Sequence, residues 1–341
     1  MEADKPVPKP RADILNELML PTASEGAFVL IATQTPAKAV YQLLLASQKA
    51  SRELGPESPE AASAANDLGV ALYYKDDFKG AAEQFRKVLA SVERGDGGDD
   101  GPGHVAPILN LSCALTELED YRPALQLAWR ALAAAEKGPG PESQDALGAM
   151  ILIANAQQSI GQNEESKELS ARIVEIGSRT LGPEHRYVLT AANMEAVAIK
   201  QMKRYEEALP KFRALLETSE KVLGAEHPFL TLVLTFLADA VSMVPSADRS
   251  PREIHEEVVA LLKRAHEVAV KSYGRNSISA FSTEANLGMA IAERGDSVTG
   301  ERMVRKAQSS LAALVNPSHS AARSVKVILG RVLGMRKGLK M

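Results

Sequence analysis

Residues 181–190 read LGPEHRYVLT, and residues 223–232 read LGAEHPFLTL, a near-copy placed 42 residues later. The shared glycine recurs at Gly55, Gly97, Gly140, Gly182, Gly224 and Gly274, and Asn316 takes its place at the end. The steps are 42, 43, 42, 42, 50 and 42 residues. Glycine and asparagine enter the left-handed backbone region at least cost, which suits the residue just past a helix C-terminus. Pro56, Pro141, Pro183 and Pro317 follow directly, and proline cannot continue a helix. The phrase reads as a helix stop used seven times.

Counting back nineteen residues from each stop gives a helix-start position: Pro36, Phe78, Tyr121, Asn163, Tyr205, His255 and Ser297. Three residues after each start stands a mostly small residue: Ala39, Ala81, Ala124, Ser166, Ala208, Val258 or Gly300. Nine residues before most starts stands another: Ala27, Gly69, Ser112, Ala154, Ala196 and Gly288. In the sixth unit the matching residue is Ala238, displaced by an insertion of eight. Two small-residue columns on different helices mean that a pair of helices crosses closely there. Leu43, Phe85, Ala128, Ser170, Phe212, Leu262 and Val304 form a third column, mostly apolar plugs between neighbouring pairs.

Composition agrees. The chain of 341 residues is 45% hydrophobic but only 4% aromatic, which suits closely packed helices better than a sheet sandwich. The net charge of -3 supplies no overall basic field for nucleic acid. A single cysteine, Cys113, excludes an internal disulfide and a Cys-based metal cage. No apolar run approaches the roughly 18 residues of a membrane span, and MEADKPVPKP lacks the apolar core of a signal peptide. A cytoplasmic location is expected, with an organellar or ciliary complex as the alternative for a processed or assembly-bound form.

The pattern Gly69, Leu72, Ala81, Phe85 resembles that of the tetratricopeptide repeat, and the 42-residue period with its LGPEH linker is similar to the longer form found in kinesin light chains. The resemblance covers about residues 22–316 and implies an all-α, right-handed superhelical solenoid of about seven helix pairs. Ends of such an array need covers. Residues 319–338 place Val325, Ile328, Leu329 and Val332 at helical spacing, as a basic capping helix would. Residues 1–10 read as a flexible proline-rich tail. Residues 11–20 read as a helical segment with Ile14, Leu15, Leu18 and Met19 on one face, which caps unit one or lies elsewhere on the array.

The resemblance also implies a concave groove lined by the first helix of each pair. Carried over by position, its lining is Asn66, Val70, Tyr73 and Tyr74, then Leu109, Cys113, Thr116 and Glu117, then Ile151, Asn155, Gln158 and Ser159. Further along it is Asn193, Val197, Lys200 and Gln201, then Thr235, Asp239, Ser242 and Met243. Asparagine amides offer donors and an acceptor, as holding an extended peptide backbone requires. Only Lys200 is cationic among these residues, with Glu117, Asp239 and Glu293 nearby. That disfavours the clamp by which related repeats hold the C-terminal carboxylates of heat-shock chaperones. The expected partner is a protein, as a peptide or a helix without strong charge.

Enzyme chemistry is not expected. His185 and His227 hold the same place in successive linkers and help start the next helix; His255 and His266 meet no Cys or spaced carboxylate. The GDGGDDGPG loop (95–103) lacks the spaced ligands of a calcium loop, so neither a metal nor a cofactor is implied. Ser250-Pro251 closes the inserted loop of unit six, as a surface turn or a proline-directed phosphorylation site. The alternative function is association with RNA or an anionic surface through Arg323, Lys326, Arg331, Arg336 and Lys337. The register itself is testable. Ala208→Trp is expected to wedge apart a helix crossing and cost about 3 kcal/mol by overpacking, and an unchanged melting temperature would refute the register.

Overall fold

The computed structural model describes Ser24, Ala27, Leu30 and residues 36–75, 77–95, 101–244, 249–317 and 319–338. The expectations for residues 1–20 and for the centre of the 95–103 loop lie outside these. Among the described residues the fold is all-α, with no strand and fourteen helices. These are α1 (Pro36–Glu53), α2 (Pro59–Tyr74), α3 (Phe78–Gly95), α4 (Val105–Glu117), α5 (Tyr121–Lys137), α6 (Gln144–Ser159) and α7 (Asn163–Thr180). They continue as α8 (Arg186–Gln201), α9 (Tyr205–Leu223), α10 (Phe229–Met243), α11 (Pro251–Tyr273), α12 (Ile278–Glu293), α13 (Ser297–Ala312) and α14 (Ser320–Gly338). The chain divides into two compact units, one ending at Ala198 and the other beginning at Ile199. In the first, α2 with α3, α4 with α5 and α6 with α7 pack as successive pairs. In the second, α10 packs on α11 and α12 on α13, and α14 covers α12 and α13.

The two kinds of helix differ in what they bury. In α6 nearly every residue from Ala146 to Gln157 is buried, whereas in α7 only Ser166, Ser170, Ile173, Ile176 and Gly177 are. A helix apolar all round must be covered on all sides, and an amphipathic one forms an outer layer. First helices of the pairs are therefore interior: α4 touches its partner α5, the preceding α3, and the first helices α2 and α6 on either side.

At each crossing the small columns let backbones approach. Ser112 Oγ donates to the Ala124 carbonyl at 2.8 Å, and Ser166 Oγ donates to the Ala154 carbonyl at 2.8 Å. Both bonds join residues twelve apart, one from each column. A methyl group on Gly69 would stand 2.6 Å from the Phe85 ring, and Phe85 is wholly buried. Burying a ring of that size contributes roughly 2–3 kcal/mol, so the small residue exists to seat it. Ala208 is likewise fully buried.

The helix ends refine the reading of the glycine column. Gly224 adopts φ 86° and ψ 155°, and Gly274 adopts φ 85° and ψ 158°. That is not the left-handed helical basin but a region essentially reserved for glycine. Asparagine does not share it, and Asn316 is not among the residues of positive φ. The chain leaves α13 instead through turns in which Leu314 and Val315 both donate to the Leu311 carbonyl. The left-handed stop does occur, at the ends of the first helices α4, α6, α8 and α12, where the sequence placed none, while α10 runs out through extended Val244. Glu119 (φ 62°), Gly161 (φ 85°), Lys203 (φ 61°) and Gly295 (φ 115°) occupy it. The next residue donates back five positions in each case, as Asp120 does to the Leu115 carbonyl at 2.9 Å, which is the Schellman arrangement.

Helix starts form a column of their own, three residues beyond the stop. Ser58, Ser143 and Ser277 accept the backbone N–H three residues on at 3.1–3.2 Å. His255 does not begin a helix. Helix α11 starts four residues earlier at Pro251, because Ser250 and Glu253 form a capping box. The two kinds of stop respond oppositely to substitution. Gly224→Ala is expected to cost about 1–3 kcal/mol. Lys203→Gly relieves left-handed strain against glycine's entropy and is expected to stabilise by up to about 1 kcal/mol. Urea midpoints at constant m-value measure both.

Candidate functional site

On the first helices, residues exposed on one side alternate with residues that join neighbouring first helices. Val70, Tyr73, Leu109, Asn193 and Val197 are buried. Expected in the groove, they lie in the core instead, as do Cys113 and Ile151. The physical reason is lateral packing. Asn110 Nδ2 donates to Asn66 Oδ1 at 2.8 Å between α4 and α2. Tyr73 donates its hydroxyl to Glu117 at 3.2 Å across the same gap, with its ring edge-on to Phe78 at 5.2 Å. Burial also pushes the Cys113 thiol well above the ordinary range.

What remains open in the first unit is half-buried Asn66, Tyr74, Thr116, Asn155 and Gln158, with exposed Ser159. Thr116 Oγ1 donates to the Ser112 carbonyl at 2.9 Å, and Gln158 Nε2 donates to the Met194 carbonyl at 2.5 Å. Among the described residues the Asn155 side-chain amide has no partner; only its backbone carbonyl accepts, from Ser159 Oγ at 3.0 Å. In the second unit Lys200 pairs with Asp239 at 2.5 Å and lies 5.0 Å over the Phe236 ring. The one cation among the expected lining residues is thus held by an acid of the next first helix. Gln201 and Met243 are exposed beside them, and Thr235 is half-buried. Glu293 is held above its usual range by burial, opposed by the charges of His255 and Arg331.

On α14, Val325, Leu329 and Val332 join a core with Phe281, Val304 and Leu311. Arg323, Lys326 and Arg331 are exposed. Arg336 and Lys337 fall within the helix, but their side chains lie outside the described residues. Among the described residues no group of three or more His, Cys, Asp or Glu is placed to hold a metal ion. No described helix is long and apolar enough to cross a membrane.

The linker histidines have a definite task. His185 Nδ1 accepts the N–H of Tyr187 at 3.2 Å, and His227 Nδ1 accepts that of Phe229 at 3.2 Å. His319, which the sequence reading passed over, does the same for Ala321 at 3.1 Å. Each sits where Ser58, Ser143 and Ser277 sit in other units, so imidazole replaces hydroxyl as the helix cap.

Three segments, residues 61–95, 108–145 and 188–229, match the family model described as tetratricopeptide repeat. No curated protein matches the chain. Among solved structures, the Rap protein complexed with Competence and Sporulation Factor aligns over 97% of this chain and 88% of its own at 11% identity, with a TM-score of 0.61. A tetratricopeptide repeat protein from Parabacteroides merdae aligns over 94% and 100% at 15% identity, with a TM-score of 0.58. BtubC from P. vanneervenii aligns over 84% and 96% at 19% identity, with a TM-score of 0.50. At such identities the likeness is one of fold.

Protonation would remove the acceptor from each histidine cap. For His185, burial and then the Arg186 charge hold the pKa below its ordinary value. The unfolded chain therefore takes up the proton first on acidification, and stability present above the unfolded value of about 6.5 is lost as pH falls through the folded one. Melting temperatures from about pH 7 to about pH 5 should fall in the wild type, and less steeply in His185→Ser. Equal slopes would exclude the cap as their source.

Proposed function

We propose that this chain, three segments of which match the tetratricopeptide repeat, is a non-catalytic scaffold that holds a peptide or helix of a partner protein along its first helices. The observation that carries the reading is Asn155 on α6. Its amide is half-buried, keeps both donors and its acceptor, and stands one turn from exposed Ser159. A polar group fixed on a fully packed helix costs little further ordering when a backbone meets it. The neighbouring side chains Thr116 and Gln158 are already oriented by backbone carbonyls, which supports a preformed surface. The mixed Lys200–Asp239 pair supports a partner without strong net charge, since a cation already neutralised offers little to an acidic peptide. The solved Rap protein carries Competence and Sporulation Factor in its complex, which supports a fold of this kind as a holder of partners.

The test is affinity capture with the full chain as bait, comparing wild type, Asn155→Arg with Ser159→Arg on α6, and Trp129→Arg on α5. Trp129 is exposed on a second helix. Partners that bind along the first helices should weaken roughly tenfold, about 1.4 kcal/mol, with the α6 pair and not with Trp129→Arg. The reverse pattern, or equal retention by all three, would overturn the reading.

A further inference from the structure

Helix α14 has one face in the core of the second unit and the other uncovered. Val325, Leu329 and Val332 pack with Phe281, Val304 and Leu311, which uses up its apolar stripe. On the opposite side Arg323, Val327, Gly330, Arg331 and Gly334 are exposed, Val327 at 58%. At 3.6 residues per turn these five share one face, roughly 100° wide, with exposed Lys326 at its edge.

Charge on this face has one sign. Residues 319–338 contain no Asp or Glu, and residues 294–341 hold ten Lys and Arg against two Asp and Glu, in a chain whose net charge is -3. Both of those acids are engaged on α13: Glu301 pairs with Arg305 at 2.8 Å, and Asp296 caps the helix at Thr299. Glu284 of α12 is held by Lys306 at 2.7 Å. Glu293 feels the Arg331 charge, yet among the described residues no ion pair joins an acid to Lys326 or Arg331.

The glycines set how near a partner can come. Gly69, Gly148, Gly177, Gly288 and Gly300 also lie inside helices, and a methyl group on any of them would stand 2.4–3.5 Å from an atom of another helix. One on Gly330 or Gly334 would meet nothing within 4 Å. Glycine inside a helix weakens it, and at the first five positions that weakening coincides with a closely seated neighbour. On α14 the same close-approach surface faces solvent.

We propose that the outer face of α14 is an interaction surface separate from the first helices, and that it docks an acidic helix of a partner protein. The partner's backbone lies close along Val327, Gly330 and Gly334, and its carboxylates meet Lys326 and Arg331 on either side. Other occupants fit less well. A second copy of α14 would bring like charges together. Residues 282–341 contain no aromatic side chain on which nucleic-acid bases could stack. A lipid surface is held by an inserted apolar face, and that of α14 is already in the core.

A display library of alanine-rich helices is the probe, one face varied among acidic, basic, small and apolar residues, selected on the full-length chain at low salt. Enriched helices should carry Asp or Glu beside small residues spaced four apart. Their affinity should fall at least roughly tenfold with Lys326→Glu plus Arg331→Glu. It should fall as far with Gly330→Leu plus Gly334→Leu, which blocks close approach and leaves the charge in place. Gly330→Ala plus Gly334→Ala should raise the melting temperature, since glycine is the poorer helix former. Basic or neutral winners overturn the proposal, as does an absence of winners. Binding that survives the leucines but not the glutamates would make the contact a diffuse electrostatic one and overturn it too. So would binding lost only with Asn155→Arg and Ser159→Arg, which would belong to the first helices.

Discussion

The close crossing of two helices at a pair of small residues is the constraint on which the rest of the structure depends. Where Ser112 reaches the Ala124 carbonyl and Ser166 reaches the Ala154 carbonyl, hydroxyls span backbones that no larger side chain could separate without loss. Once a pair is drawn that tightly, its first helix has too little of its own surface covered by its partner. It must find cover from the preceding second helix and from the first helices on either side. That demand makes α4 and α6 apolar nearly all round and leaves the second helices amphipathic. Polarity on a first helix is then confined to a thin strip, and whatever the chain recognises there must be read by few residues.

The same layering explains how much the sequence could reveal. Period, helix order and the small columns were legible because each is a local, one-dimensional regularity repeated many times. Which groove positions stay open was not legible, because it depends on how far each first helix leans on the next. Val70 and Val197 are buried, whereas Asn155, in a register place equivalent to Val70, is only half-buried. The backbone told a similar story. A glycine column announces that the helix stops, but not which of two positive-φ basins it uses. Lys203 and Glu119 gave no signal of the second basin, since neither residue type favours it. The linker histidines were legible as helix starters, but the means, Nδ1 accepting a backbone N–H two residues on, was not.

Electrostatics in this chain is a matter of spacing more than strength. The pairs Glu57–Arg94, Glu142–Arg179 and Glu226–Lys271 each join a linker acid to a base near the end of the following second helix. All are exposed, and each is worth little alone. Their regularity nevertheless gives an internal standard: a place where the pattern fails is visible against the places where it holds.

The insertion before α11 shows what this construction permits. Four of the additional residues lengthen the helix by about one turn, to 23 residues in all, and Val258 and Leu262 still face the core in the phase of their counterparts. Growth by whole turns leaves the buried stripe in place, so the unit tolerates a longer linker without repacking its neighbours. A chain built this way can acquire new surface between repeats by trial, because the error of a poor insertion stays within one unit. Lineages of such proteins can therefore diverge in their loops much faster than in their cores.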